Sequence, residues 1–167
     1  MDNAINTPKY LTQEVIAAAL KAAEAAFFES PAMAALVQKT FCAVAIVVPA
    51  RVGDRLVPHL LLADYIGEGC VGPMYDYIGF AKSKALQLWE GRNDDRTDVR
   101  PHLLMPGDAP LWGGVMRDSI AVACSALPPH LDKACASVIS DLLVGLAYEA
   151  FLRDKEVAEE HRRCFLK

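Results

Sequence analysis

Residues 41 to 50, FCAVAIVVPA, form an uninterrupted apolar run rich in β-branched side chains and closed by Pro49. A run of this length suits a strand, and one that is apolar at both alternating positions is buried on both of its faces. The remaining chain must then supply cover on two sides. VGDR, residues 52 to 55, is turn chemistry, and LVPHLLLADYI resumes as a second strand, giving a hairpin. Pro58 in that second strand implies an edge position or a bulge, because proline has no N–H for the ladder.

Helical patterns surround this hairpin. Thr12 is placed to cap QEVIAAALKAAEAAFFE, whose Val15, Ile16, Ala19, Leu20, Ala23 and Phe27 recur at helical spacing. Ser30-Pro31 restarts the chain into a short helix, AMAALVQKT. A central helix, PMYDYIGFAKSKALQLWE, is predicted from Pro73 to a stop at Gly91, with Met74, Tyr77, Ile78, Ala81, Ala85, Leu88 and Trp89 on one stripe. RNDDRTDVRPHLLMPGDA is then a charged connection without a period, long enough to be functional or mobile. APLWGGVM and IAVACSAL read as two strands about a turn at Arg117-Asp118-Ser119. The small Ala121, Ala123, Cys124 and Ala126 would let helices approach both faces of the second. Pro128-Pro129 launches a last helix whose buried face is Leu131, Ala134, Cys135, Val138, Ile139, Leu142 and Leu146. Asp132 stands in its first turn, where the helix dipole favours a carboxylate. The order helix, hairpin, helix, hairpin, helix specifies an α+β fold, an antiparallel sheet covered by helices. The organisation expected is an N-terminal arm at 1–10, a single domain at 11–152 and a charged extension at 153–167.

Several function classes are disfavoured. A net charge of −4 with no basic stripe gives no footprint for nucleic acid. The N-terminus is polar and acidic, and no apolar run reaches the ~18 residues of a membrane span, so a cytoplasmic protein is expected. Five cysteines, an odd number without a C-x-x-C pair, read as reduced and largely buried thiols. Cys124 and Cys135 fall at apolar positions, which raise a thiol pKa and argue against a nucleophile. There is no G-x-G-x-x-G, P-loop or G-x-S-x-G. No protein-only zinc site is expected, since His59 and Asp64 have opposite parity on their strand, so that they cannot share an ion without a bulge, and no H-x-x-x-H exists. The 53% hydrophobic content points to a large core or to surface covered by further copies of the chain, and a homo-oligomer is expected.

The candidate site centres on Gly113 and Gly114, directly behind Trp112. Glycines there either free backbone N–H groups at the lip of a pocket walled by the indole or form a bulge that turns the chain into its hairpin. Lys84, one position off the apolar stripe, is either a solvated lysine or an anion-binding or acid/base group at that pocket. His102, in the long loop, is the histidine placed to act there near neutral pH.

The Ala- and Glu-rich first helix, the AVAIVV strand, AKSKALQLW, the GG before a hairpin, and SALPPHLDKACA together resemble the GlcG/HbpS family, which includes the C-terminal domain of PduO-type proteins. The resemblance covers roughly residues 11 to 150. Lys84 and Ala85 match the family's KA pair, Gly113 and Gly114 its GG, Ser125 the serine closing the last strand, and Asp132 the acidic residue that follows. It implies a profilin-like five-stranded antiparallel sheet flanked by helices, assembly into tetramers or octamers, and binding of a small molecule. Haem is a ligand of some members, but the histidines here, at 59, 102, 130 and 161, leave the first helix without one. The leading reading is a binder of haem or a carboxylate-bearing metabolite, with Trp112, Gly113, Gly114 and Asp132 on the ligand. The alternatives are a cofactor-independent catabolic enzyme using Lys84 and His102, and a structural accessory oligomer.

Overall fold

The computed structural model describes residues 5–69, 75–93 and 99–154. An open antiparallel sheet of four strands stands between two helical layers. In chain order the elements are α1 (Gln13–Glu24), extended by a π turn at Ala25–Glu29, α2 (Pro31–Val37), β1 (Phe41–Val52), β2 (Arg55–Gly67), α3 (Tyr77–Trp89), β3 (Gly114–Arg117), β4 (Ile120–Ser125) and α4 (Pro129–Arg153). The strand order is β2-β1-β4-β3, so β1 is internal and β2 is an edge, where Pro58 is tolerated. The expected fifth strand is not among the described residues, and APLW stays outside β3, which begins only at Gly114.

β1 alternates between two cores as its composition requires. Ala43, Ala45 and Val47 join Ala121 and Ala123 of β4 against Ala81, Ala85 and Leu88 of α3. Cys42, Val44, Ile46 and Val48 join Val122 and Cys124 against α1 and α4. The alanines of β4 thus serve one face only, that of α3; the opposite face is built from larger side chains and a thiol. A bulge in β2 shifts the register after Ile46, which pairs with Leu62 while Val47 pairs with Leu60. It overturns the parity argument, because His59 and Asp64 now both lie opposite even-numbered residues of β1, Val48 and Val44. They share a face but stand about 13 Å apart at the usual rise per residue, too far to hold one ion.

Local chemistry sets the helix ends. Thr12 caps α1 as expected, its hydroxyl accepting from Val15 N. Asp76, not Pro73, caps α3 by accepting from Gly79 N at 2.8 Å; Pro73 itself lies outside the described residues. Gly91 takes a positive φ of 67° just past the end of α3. The second hairpin turns through Asp118 and Ser119, both with positive φ, the mirror-type turn that matches strand twist.

Two features of the periphery bear on the fold. The N-terminal segment is tied from Asn6 onward: Asn6 exchanges backbone hydrogen bonds with Arg51, and Lys9 and Tyr10 both donate to Asp154 at the end of α4. Second, α4 is long and apolar enough to cross a membrane by length and composition, although no such span was expected. Its Cys135, Ala136, Ile139 and Leu143 are buried in the core. The charged extension beyond Asp154 lies outside the described residues.

Candidate functional site

Lys84 is on the buried stripe of α3, three residues after Ala81 and four before Leu88, and 2% of its side chain is exposed. The solvated-lysine reading is therefore wrong. Past the end of β4 the ammonium meets Asp132, equally buried, from the first turn of α4, with Nζ 3.0 Å from Oδ2. Lys84 also donates to the carbonyl of Cys124 at 2.9 Å, and Leu127 N donates to Asp132 Oδ1 at 3.0 Å. Each charge has its counter-ion and one further hydrogen bond, as a buried ion pair needs. Burial nevertheless pushes the Asp132 carboxyl up to about 6, outweighing the neighbouring ammonium and the Leu127 N–H.

The two glycines answer to this pair rather than to an open cleft. Gly113 has φ +143°, and a Cβ there would lie 2.6 Å from Asp132 Cβ and 3.0 Å from Lys84 Nζ. Its carbonyl accepts from Cys124 N at 2.9 Å, continuing the β3–β4 pairing by one step. A Cβ on Gly114 would strike Leu88 Cδ1 and Val122 O, both at 2.7 Å. The corner expected to receive a guest is filled, and the missing side chains let the backbone press against the ion pair and α3. Trp112 is half-buried beside Lys133, whose Nζ is 6.0 Å from the ring centroid.

The cavity lies on the other side of the pair. It encloses about 320 Å³ and has Lys84, Asp132 and Ser125 among its lining residues. Tyr75, Tyr77, Phe80, Leu111, Ala126 and Leu127 supply most of its apolar wall. The Ala109-Pro110 side is fixed by α3: Ser83 Oγ accepts from Ala109 N at 2.8 Å, and Gln87 Nε2 donates to Ala109 O at 3.2 Å. Part of the long charged connection is therefore structured, with Arg92 paired to Asp108 and donating to Leu103 O. Tyr77 accepts from Lys39 Nζ at 3.1 Å, and that ammonium also lies 4.8 Å from the Tyr77 ring centroid. A larger open groove of about 680 Å³ runs between α1 and the end of α4, but its ion pair, Lys9 with Asp154, involves an exposed lysine.

Of the residues singled out from sequence, the fold brings together Lys84, Asp132 and Gly113. Trp112, Gly114 and His102 do not line the cavity, and His102 is exposed on a short 3₁₀ turn, Pro101–Leu103. The aromatic wall was missed as a site because Tyr77 reads equally well as core. Sequence reasoning also left Cys42, Cys124 and Cys135 as separate core residues. The three sulfurs lie within 4.8 Å of one another, with Cys42 Sγ 4.0 Å from Cys135 Sγ. Burial pushes the Cys124 thiol up as expected, whereas hydrogen bonds from Cys124 and Cys42 hold the Cys135 thiol below the ordinary range.

No family model matches the chain, and neither the curated proteins nor the solved structures contain a match.

Proposed function

We propose that the chain is a small-molecule-binding protein of the GlcG/HbpS type, whose guest sits in the cavity beside Lys84 and Asp132. The observation that carries this reading is a net-neutral ion pair bordering a largely apolar pocket. Such a pocket favours an aromatic or aliphatic body with one polar head. Two of the three Lys84 N–H donors are engaged, by Asp132 and Cys124, leaving one for a carbonyl or carboxylate oxygen. At about 320 Å³ the space is at the small end of ligand pockets, which suits a small metabolite. Haem is not supported: at about 320 Å³ the cavity is too small for a porphyrin, and among the described residues no histidine, cysteine or methionine lines it. The profilin-like assignment rests on the helices covering both faces of the sheet, and self-association on exposed Tyr148 and Leu152 along α4.

Native mass spectrometry of freshly purified protein, followed by thermal-shift titration with small aromatic and aliphatic carboxylates, tests the proposal. A retained small mass or a saturable rise in melting temperature is expected, weakened at least tenfold in apparent affinity by Leu111→Asp, a change at an exposed wall residue. No retained mass and no shift from any carboxylate would leave the accessory-oligomer reading in its place.

A second reading, a cofactor-independent enzyme, is favoured by the Asp132 carboxyl alone, because a group titrating near 6 is suited to proton transfer. In that case Asp132, not His102, is the acid/base. Turnover of a bound carboxylate following a single ionisation near pH 6, and lost in Asp132→Asn, distinguishes it from binding.

A further inference from the structure

We propose that Cys42, Cys124 and Cys135 form a three-coordinate site for a soft d¹⁰ metal ion, with Cu(I) as the ion that fits it. The three thiols come from β1, β4 and α4, so the site exists only where the sheet and the helical layer meet. Each is 0% exposed and reduced, and their sulfurs converge to within 4.8 Å. Three sulfurs around one ion at ~2.3 Å, the usual metal–thiolate distance, lie about 4.0 Å apart when the centre is planar. The Cys42 to Cys135 separation already has this value. Thiolates select soft ions, and Cu(I) accepts three without a further ligand, whereas zinc keeps a tetrahedral fourth.

The carboxylate one turn before Cys135 on α4 is committed elsewhere. Asp132 is three residues before Cys135 on α4, but its two oxygens are engaged by Lys84 and Leu127 N. Among the described residues that leaves a set of three sulfurs, apolar around its rim with Val44, Val122 and Ile139 in the same core cluster. On binding, Cu(I) exchanges its carrier ligands for sulfur, and the thiol protons pass to solvent; the copper is not oxidised or reduced. Because the sulfurs are sealed, loading follows opening of the helical layer or accompanies folding. The site is independent of the small-molecule cavity, which none of the three cysteines lines.

The test uses the full chain, reduced and anaerobic, refolded with Cu(I) supplied as a complex of a chromogenic chelator. Near-stoichiometric copper per chain is expected, with an X-ray absorption shell of sulfur alone fitting three scatterers. The Cys70→Ser/Cys164→Ser variant should retain that copper, and Cys135→Ala should fall to roughly a tenth of it against the same competitor. Zn(II) offered in place of Cu(I) should be removed by the chelator. Copper that follows Cys70 and Cys164 overturns the site. So does wild-type protein that refolds without copper, or that loses two titratable thiols to a disulfide instead. Should Cys135→Ala not fold, the sulfur count in the wild-type absorption shell decides: fewer than three sulfurs, or any nitrogen or oxygen, refutes the proposal.

Discussion

Replacing Lys84 by methionine removes the ammonium and leaves the Asp132 carboxylate buried without its partner. Breaking a buried pair from one side costs about 3–5 kcal/mol, whereas replacing both members can be nearly neutral. Urea unfolding at pH 7 should therefore show Lys84→Met losing that amount. Lys84→Met/Asp132→Asn should recover most of it, since asparagine still accepts from Leu127 N. The carboxyl also imposes a pH dependence. Its folded pKa, about 6, is above the 3.8 of an unburied aspartate, so the folded state holds the proton more tightly. Stabilisation from this group is complete below pH 3.8 and is lost as pH rises through 6, a change on the order of 3 kcal/mol. Unfolding free energies of wild type and Asp132→Asn, compared between pH 4 and 7, should diverge with that sign. Gly113→Ala is expected to cost more than about 2 kcal/mol, because the new methyl collides with Asp132 Cβ in a backbone region that L-residues rarely adopt. Gly53→Ala, also at positive φ but with nothing within 4 Å, should cost only about 1 kcal/mol, which separates conformational strain from collision in the same melting assay.

Among the elements, α4 holds two unexploited gains. Gly145 is helical with nothing within 4 Å of a would-be Cβ, and Ser140 buries a hydroxyl that has no hydrogen-bond partner among the described residues. Gly145→Ala should add about 0.5–1 kcal/mol through helix propensity. Ser140→Ala should be neutral or stabilising by up to ~1 kcal/mol, since it deletes an unpaired buried polar group. Calorimetry of the two single variants and the double checks both values and their additivity. Other elements show how far local pattern reaches. Thr12, Gly91 and the Asp118-Ser119 turn act where short-range chemistry places them. The start of α3 moved to Asp76, because a carboxylate accepting from Gly79 N is a stronger cap than a proline, which only tolerates the first turn. The bulge in β2 falls at Leu61 rather than at Pro58, where the sequence allowed one, and it alone reversed the facing of His59 relative to Asp64.

For the molecule as a whole, the Lys84–Asp132 pair ties two helices that otherwise pack in separate cores on opposite faces of the sheet. Hydrogen exchange should report this link: Lys84→Met should speed exchange in both α3 and the first turns of α4. Phe27→Ala, confined to the α1 and α4 side, should leave α3 protected as in wild type. The sequence by itself determined the α+β class, the hairpins and the doubly buried β1, because periodicity and turn chemistry are local and repeat over many residues. It also marked Lys84, Gly113 and Asp132 as worth attention, though for an open cleft they do not form. Only the tertiary structure decided that the glycines accommodate an ion pair, that the cavity lies beyond it, and that three thiols from distant elements converge. Those outcomes depend on how far apart the layers settle and which end of the sheet each helix reaches, quantities that no short window of residues encodes.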